Sequence, residues 1–273
     1  PHDLTLDFAR SPFLHRTPEG VDYDGRTRLV AYSLSNETIE AGEELVIENL
    51  WSGAEEGLEA EMRLVSPAEH LFATQDTIAR DRVPIRGGLS IHRVLLPQTV
   101  APGLYFPAVR VYAGEEELTA RGNGISLATV HLHPVRVENP RPATGKEPIV
   151  ARFGEAIALT EISAARTAPS ALRVELTWWA SRSPGANYSL SLRLADPSGA
   201  ILVQRDMQPR YGLYPTSDWR AGQLLGDRYF LSLAPETLTG TDYRLSVVLY
   251  RSWEPGLPQI GVAELAGIDL APL

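Results

Sequence analysis

The feature that most constrains the fold of this chain is a strand-like phrase that occurs twice. Residues 172–179 read Leu-Arg-Val-Glu-Leu-Thr-Trp-Trp, and residues 45–51 read Leu-Val-Ile-Glu-Asn-Leu-Trp. Apolar and polar residues alternate in the longer phrase, which is the period of a β-strand with one buried face. Trp51 and Trp178 hold the same place in the two phrases, 127 positions apart. The repetition predicts one β-domain written twice.

The match extends along the chain through four pairs of strand candidates, with an offset that grows towards the C-terminus. Pro67 matches Pro197, and Tyr105 matches Tyr243. Each copy offers six or seven short strands separated by Pro and Gly turns, a pattern typical of sandwiches. Among these candidates are 58–65 and 125–133 in the first copy and 243–250 in the second. We therefore expect an all-β chain of two tandem immunoglobulin/fibronectin-like antiparallel β-sandwiches.

The domain boundaries follow from a proline-rich stretch near the middle of the 273 residues. Residues 1–137 are predicted to form the first β-sandwich with an N-terminal lead-in, 138–148 the Pro-rich linker, and 149–273 the second sandwich. One segment argues for a different element: Ser66 starts a capping box with Pro at the first helical position, so 68–79 could form a helix. The repeat instead favours a turn there.

Composition excludes several classes of function. The chain carries a net charge of −9 and a pI of about 5.2, which argues against nucleic acid and against an anionic membrane surface as partners. It contains no cysteine, so disulfides, thiolate metal sites and a cysteine nucleophile are ruled out. No apolar run is long enough to span a bilayer. Membrane association is therefore expected only through a segment of a parent chain that this sequence lacks.

An insertion distinguishes the second copy from the first. The extra residues, 208–222, carry Tyr211, Tyr214 and Trp219 among two prolines and two glycines. One interpretation is a stacking platform for a sugar ring, hydrogen-bonded by three charged side chains. These are Arg210, Asp218 and Arg220. The alternative is a long crossover whose aromatic side chains fold inwards and tie the loop down.

The tryptophans in strand positions receive separate predictions. Trp51 and Trp178 share a face with leucines and are expected in the cores, where such burial contributes more than about 2 kcal/mol each. Trp179 points to the other face and joins the candidate ligand-binding residues. Trp253 lies in the last hairpin turn, and its sequence context leaves its exposure open.

No residue set predicts catalysis, a metal or a cofactor. His131 and His133 have the spacing of a metal pair, but no third ligand accompanies them, so solvent-facing histidines are the better interpretation. The chain has neither a Gly-x-Ser-x-Gly elbow nor a Ser-x-x-Lys motif. A glycosidase needs two carboxylates across a cleft, and sequence spacing cannot reveal such a pair.

A set of motifs in the second half carries a family resemblance. In chain order they are Phe153-Gly154, the phrase at 172–179, Asp196-Pro-Ser-Gly199, Gln204-Arg-Asp206, Tyr214-Pro-Thr-Ser-Asp-Trp219, Gly222, Asp227-Arg-Tyr229 and Tyr243-Arg-Leu-Ser-Val-Val-Leu-Tyr250. This run resembles a module in the extracytoplasmic, C-terminal regions of bacterial membrane glycosyltransferase-like proteins of the protein O-mannosyltransferase type. The first half shows a weaker echo, lacks the Tyr-Pro-Thr-Ser-x-Trp segment and has Asn49 where an apolar residue is expected.

The resemblance implies a non-catalytic accessory region outside the membrane, periplasmic or at the cell surface, that contacts carbohydrate or another extracytoplasmic protein. It carries over no catalytic residues, because catalysis in such transferases is expected in the membrane portion. The chain begins at Pro1 without an initiator Met, so we expect a piece of a longer polypeptide or a processed product. Two alternatives stay open: a free-standing carbohydrate-binding module, which requires exposed aromatic rings, and an uncharacterised glycoside hydrolase.

Overall fold

The computed structural model describes residues 14–66, 77–138, 145–234 and 240–270. The chain is all-β, with two tandem immunoglobulin/fibronectin-like antiparallel β-sandwiches. Its described residues divide into two compact units. The first contains 14–66, 77–97 and 102–138, and the second contains 98–101, 145–234 and 240–270. None of the described helices is long and apolar enough to cross a membrane.

The described residues of the first unit form thirteen strands, several of them very short. They are β1 (Leu14–Tyr23), β2 (Thr27–Leu34), β3 (Thr38–Glu40), β4 (Glu44–Ser52), β5 (Leu58–Val65), β6 (Thr77–Pro84), β7 (Leu89–Leu95), β8 (Gly103–Ala113), β9 (Glu116–Glu117), β10 (Ala120–Gly122), β11 (Ile125–Leu127), β12 (Val130–His131) and β13 (Val135–Glu138). One sheet has the order β11-β10-β1-β2-β4-β7. The other has the order β3-β13-β8-β5-β6, with β9 and β12 also on β8.

The second unit is simpler, and its described residues form eight strands in two sheets of four. They are β14 (Ala151–Phe153), β15 (Ile157–Ala168), β16 (Ala171–Ala180), β17 (Ser189–Ala195), β18 (Ile201–Met207), β19 (Leu224–Ser232), β20 (Tyr243–Tyr250) and β21 (Gln259–Ile268). One sheet has the order β14-β15-β16-β19 and the other β18-β17-β20-β21. Two short 3-10 turns, Pro209–Gly212 and Thr216–Asp218, lie between β18 and β19.

The two units share one strand order. The series β1-β2-β4-β7 of the first unit corresponds to β14-β15-β16-β19 of the second, and β13-β8-β5-β6 corresponds to β21-β20-β17-β18. The hairpins that open the two series also share their register, since Tyr23 pairs with Thr27 and Phe153 with Ile157. In both sandwiches the alternating strands face their apolar residues inwards, as β16 shows by strict alternation of buried and half-buried positions.

Each core is organised around the tryptophan that the repeated phrase predicted. Trp51 and Trp178 are both buried, which confirms their predicted core positions. Each meets an aromatic ring from the first strand of its series, edge to face. Tyr23 lies 5.8 Å from Trp51 between ring centroids, and Phe153 lies 5.4 Å from Trp178. Such pairs contribute about 0.5–1.5 kcal/mol beyond the burial itself.

Most predicted strands are present. The helix over 68–79, which was the alternative to the favoured turn, is contradicted at Thr77–Ala79, which begin β6; the rest of that segment lies outside the described residues. The single strand expected over 125–133 is two short strands, β11 and β12, on different sheets. The predicted linker begins with Glu138, the last residue of β13, and 139–144 lie outside the described residues.

Candidate functional site

The insertion loop between β18 and β19 begins with an unusual backbone. Arg210 and Tyr211 have φ angles of 54° and 55°, in the left-handed region that non-glycine residues rarely adopt. Gly212 follows with a φ of 77°. Three consecutive left-handed residues reverse the chain sharply and bring the loop back over β19. Holding such a conformation requires specific contacts, which this loop makes with β19.

A buried polar cluster fixes that reversal. The backbone N–H of Arg210 donates to Asp227 Oδ2 at 3.0 Å, and the Tyr229 hydroxyl donates to the same carboxylate. Arg210 Nη1 also donates to the carbonyl of Gly226 at 3.0 Å. Burial, and then the charge of Asp227, raises the pKa of Tyr229 well above its ordinary value, so its hydroxyl remains a hydrogen-bond donor. The sequence prediction missed Asp227 and Tyr229 as anchors of the loop.

Trp219 does not form a stacking platform. Its side chain is only 1% exposed, and its ring centroid lies 6.3 Å from that of Trp178 inside the core of the second sandwich. Its Nε1 donates to the carbonyl of Tyr214 at 3.1 Å, so the polar end of the ring is also satisfied. The prediction that Trp219 stacks on a ligand is wrong because burial of its large apolar surface outweighs exposure of the ring.

The polar groups around Trp219 hold the loop to itself. The Tyr214 hydroxyl lies 3.0 Å from the carbonyl oxygen of Asp218 and 3.2 Å from Gln223 Oε1. The backbone N–H of Arg220 donates to the same Gln223 oxygen at 2.8 Å. Burial raises the pKa of Tyr214 from its ordinary value. Asp218 and Arg220 are exposed residues, and these contacts use the carbonyl of Asp218 and the backbone N–H of Arg220.

Tyr211 lies half-buried against β19. Its hydroxyl donates to the carbonyl of Arg228 at 3.1 Å, and its ring centroid is 5.2 Å from that of Tyr229. The Arg205 guanidinium lies over the ring, 5.6 Å from its centroid. The ring and its hydroxyl therefore have protein neighbours, as the inward-folded interpretation of the loop requires.

Trp179 lies on the opposite face of the sheet from Trp219. It is half-buried and stands opposite Ala158 and Leu224 on the neighbouring strands. Trp178, its neighbour in sequence, is the residue that meets Trp219 in the core. The predicted ligand-binding residues therefore do not converge on one surface.

One exposed aromatic residue does have a partner. Trp253, in the turn between β20 and β21, is 51% exposed, and its ring centroid lies 5.6 Å from that of the half-buried Tyr188. Hydrogen bonds from Glu254 to Arg251 and from Leu257 to Glu254, both along the backbone, order the turn. The sequence left Trp253 undecided because a turn position has no alternation to indicate its direction.

The first unit contains a buried serine–histidine–aspartate constellation. Ser90 Oγ lies 3.1 Å from His92 Nε2, and His92 Nδ1 lies 3.2 Å from the carbonyl oxygen of Asp81 and 3.9 Å from its Oδ2. Trp51 Nε1 also donates to Ser90 Oγ, at 2.9 Å. Ser90 and His92 are buried, so a substrate cannot reach the hydroxyl. The arrangement stabilises the core rather than activating a nucleophile.

The two candidate histidines of the metal pair have ordinary neighbours. His131 packs against Phe106 with ring centroids 5.8 Å apart, and His133 Nε2 lies 4.0 Å from a carboxylate oxygen of Glu37. Within the part of the chain that the structure describes, no group of three or more His, Asp or Glu side chains could hold a metal ion.

Comparison with known proteins gives weak similarities only. No protein-family model matches the chain, and no curated protein matches it. Among solved structures, it is similar to a DUF4785 family protein from Legionella pneumophila, with a TM-score of 0.28 and 12% identity over 90% of this chain and 57% of that one. It is also similar to the α2-macroglobulin of Escherichia coli, with a TM-score of 0.25 and 14% identity over 91% of this chain and 16% of that one. For the α2-macroglobulin of Salmonella, the TM-score is 0.27 and the identity 15%, over 95% of this chain and 16% of that one. The chain thus spans less than two thirds of each of these proteins.

Proposed function

We propose that this chain is a non-catalytic, extracytoplasmic accessory region of a membrane glycosyltransferase-like protein, and that it acts by contact with another macromolecule. The motifs between Phe153 and Tyr250 support the parent protein and the compartment by resemblance. Its partner is an extracytoplasmic protein or a carbohydrate. Catalysis would belong to the membrane portion of the parent chain.

The observation that carries the proposal is the use of the insertion loop. Its aromatic rings and polar groups seal and anchor the second sandwich: Trp219 fills the core, and Tyr211 and Arg210 bind backbone and side chains of β19. Because the loop is held by these contacts, the second sandwich is expected to be rigid and to contact a partner through its outer surfaces and strand edges. That is the physical character of a contact or spacing module rather than of a loop-built ligand pocket.

We also infer that the two sandwiches arose by duplication of one domain. Two observations support this: the common strand order, and the edge-to-face aromatic pair at the same place in each core. Leu29 pairs with Trp51 as Leu159 pairs with Trp178. Shared register around a buried tryptophan is hard to obtain independently, since a one-residue slip would turn each ring to the other face of its sheet.

The test of the parent protein is the complete reading frame. Transmembrane helices in the same polypeptide, together with a glycosyltransferase-like catalytic portion, are the expected result. A frame that encodes only these sandwiches behind a cytoplasmic start would refute the assignment. Protease accessibility of the folded chain on intact cells or spheroplasts provides the independent readout of the compartment.

A free-standing carbohydrate-binding module is the second candidate, and Trp253 favours it. Its half-exposed ring beside Tyr188 could stack on a sugar, as exposed aromatics in ordered turns do. The test is a glycan array followed by titration of the best glycan against wild type, Trp253→Ala and Trp179→Ala. Binding lost only in Trp253→Ala supports this candidate. Absence of binding by wild type across the array refutes it.

A further inference from the structure

The second sandwich has an open side between its two sheets. β14 pairs with only Ile157, Ala158 and Leu159 of β15, a strand that continues to Ala168. Beyond that point a cleft of about 600 Å³ separates the edge of β15, which no described strand covers, from β21, the edge strand of the other sheet. The cleft is lined by residues 162–166 and 265–269.

The first sandwich pairs the corresponding strand edge with its own chain. There β1 has ten residues and pairs with β2 from Tyr23 back to Leu14. Its final part, opposite Leu29 and Thr27, has the register that β14 has against Leu159 and Ile157. Its earlier part lies antiparallel to residues 31–33 of β2, and the second sandwich has no strand at that place among its described residues.

The reason for the early end of β14 lies in the preceding residues. The backbone N–H of Val150 still donates to the carbonyl of Leu159, at 2.8 Å. Two residues earlier stands Pro148, which has no N–H to donate, so the ladder cannot continue in that direction. The chain leaves the edge of β15 here, and among the described residues no strand pairs with the backbone groups further along this edge.

The side chains in the cleft show what is missing. Leu159, beside β14, is fully buried, whereas Ile162 and Ala164, which continue the same inward-facing series past the end of β14, are only half-buried. Leu265 faces them from β21 and is half-buried as well. An added strand with apolar residues at alternate positions would complete this part of the core.

The charge of the cleft restricts the occupant further. Among the described residues that line it, Arg166 and Asp269 alone are charged, and both lie at the same end. The Arg166 guanidinium donates to the carbonyls of Ala168, Pro169 and Leu270, so it braces that end of the sandwich. The remaining lining is uncharged. A neutral segment therefore matches this cleft better than the acidic surface of a chain with net charge −9.

We propose that the cleft between β15 and β21 receives an extended, uncharged segment of another polypeptide, which adds to the sheet as a strand antiparallel to β15. Backbone hydrogen bonds along the free edge provide affinity, and the half-buried positions select apolar residues at every second place. The added strand would pair with β15 as the earlier part of β1 pairs with β2, but it would come from another polypeptide. The inference rests on the proposed contact function and identifies its surface and the class of its partner.

The test uses the full chain and a fluorescein-labelled octapeptide in which valine and threonine alternate. Two control peptides carry N-methyl groups on every valine or on every threonine. In a strand, alternate N–H groups point to the neighbouring strand, so one control should lose binding and the other should retain it. NMR shifts and slowed amide exchange should be confined to residues 162–166 and the facing part of β21.

A matched pair of variants tests the place. Ala164→Lys puts a charge into the cleft, whereas Ala165→Lys makes the same change at the adjacent exposed position. We expect roughly tenfold weaker peptide binding for Ala164→Lys and little change for Ala165→Lys. If Ala164→Lys does not fold, the two N-methylated peptides decide the question on the wild-type protein.

Several results would overturn the inference. The first is the absence of binding at millimolar peptide. The second is equal binding of both methylated peptides, which indicates apolar adhesion without strand pairing. The third is protection of these amides by self-association at rising protein concentration, which makes a second copy the occupant. A reading frame without membrane helices would refute the parent-protein assignment and leave peptide binding intact, so the two failures are distinguishable.

Discussion

Acid should destabilise the first sandwich through a single buried histidine. His92 is fully buried, and burial lowers its pKa from 6.5 to about 4, although the carboxylate and the carbonyl of Asp81 act in the opposite direction. Its hydrogen bonds suit the neutral ring: Nδ1–H donates to the Asp81 carbonyl, and Nε2 accepts from Ser90. Ser90 can donate its only proton because Trp51 Nε1 already donates to its oxygen. A second ring proton would disrupt this arrangement.

The sign and size of the effect follow from the depressed pKa. Because the folded pKa lies below the unfolded one, the unfolded chain binds the proton first as the pH falls from 6.5 towards 4, and stability falls over that window. The full shift corresponds to about 3 kcal/mol, of which about 2 kcal/mol is lost by pH 5. Above about pH 7.5 this group makes no contribution to the pH dependence.

Urea unfolding at pH 8 and pH 5 measures the loss, and His92→Gln isolates it. Glutamine offers a donor and an acceptor but does not titrate, so the variant should be less stable at pH 8 yet lose about 2 kcal/mol less than wild type between the two pH values. The matched control, His133→Gln at an exposed histidine, should follow wild type. An NMR titration midpoint near 6.5 for the His92 ring, or equal acid losses in wild type and His92→Gln, would refute the reasoning.

Three further predictions concern stability. Trp219→Ala should lower the free energy of unfolding by about 3–5 kcal/mol, because it empties a fully buried site. In the wild-type protein, acrylamide should quench the fluorescence of Trp253 but not that of Trp219. Tyr229→Phe should cost about 1–3 kcal/mol in urea unfolding, since it leaves the buried Asp227 carboxylate without that hydroxyl; a neutral result would contradict the loop-anchoring role of the cluster. Gly88→Ala should destabilise the protein more than Gly87→Ala does, by at least about 1 kcal/mol. Both glycines have positive φ, but only at Gly88 would a Cβ meet a backbone oxygen, that of Trp51, at 2.9 Å. Equal shifts in the melting temperature would show that this contact relaxes freely.

The sequence predicted the strands that alternate and missed those that do not. Residues 58–65 and 243–250 were predicted with the bounds that β5 and β20 have, because each carries an apolar series on its inward face. β6 was missed since its residues, including Arg80, Asp81 and Arg82, show no clean alternation of buried and exposed positions. Its place at the edge of a sheet tolerates charged side chains that a central strand would not.

The orientation of the aromatic loop could not be read from the sequence. A tryptophan in an irregular segment is not part of a periodic pattern that relates its side chain to the core. The same sequence is therefore consistent with an exposed and with a buried Trp219. Asn49 is a similar case. It interrupts an apolar series and looked like a departure from the repeat, but its Nδ2 lies 3.4 Å from Ser90 Oγ on the neighbouring strand. The hydrogen bond to Ser90 gives the buried Asn49 amide a polar partner, which the sequence alone does not indicate.

The two sandwiches close the same seam by different chemistry. In the first, β6 and β7 belong to different sheets and are joined where Asp81 accepts from the backbone N–H of Arg93 and from the His92 ring. In the second, β18 and β19 hold the equivalent places, and Arg205 Nη1 donates across to the carbonyl of Phe230 at 2.7 Å.

The insertion completes the closure of the second seam. Its residues Arg210 and Tyr211 bind Asp227 and the carbonyl of Arg228 on β19, immediately after β18 ends. Edges that face each other across two sheets must be joined or covered, because unpaired backbone groups otherwise invite association. The first sandwich closes its seam through His92, whereas residues 149–273 contain no histidine. Acid should therefore loosen the first sandwich before the second, and amide exchange at pH 5 should rise in β7 while β19 keeps its protection.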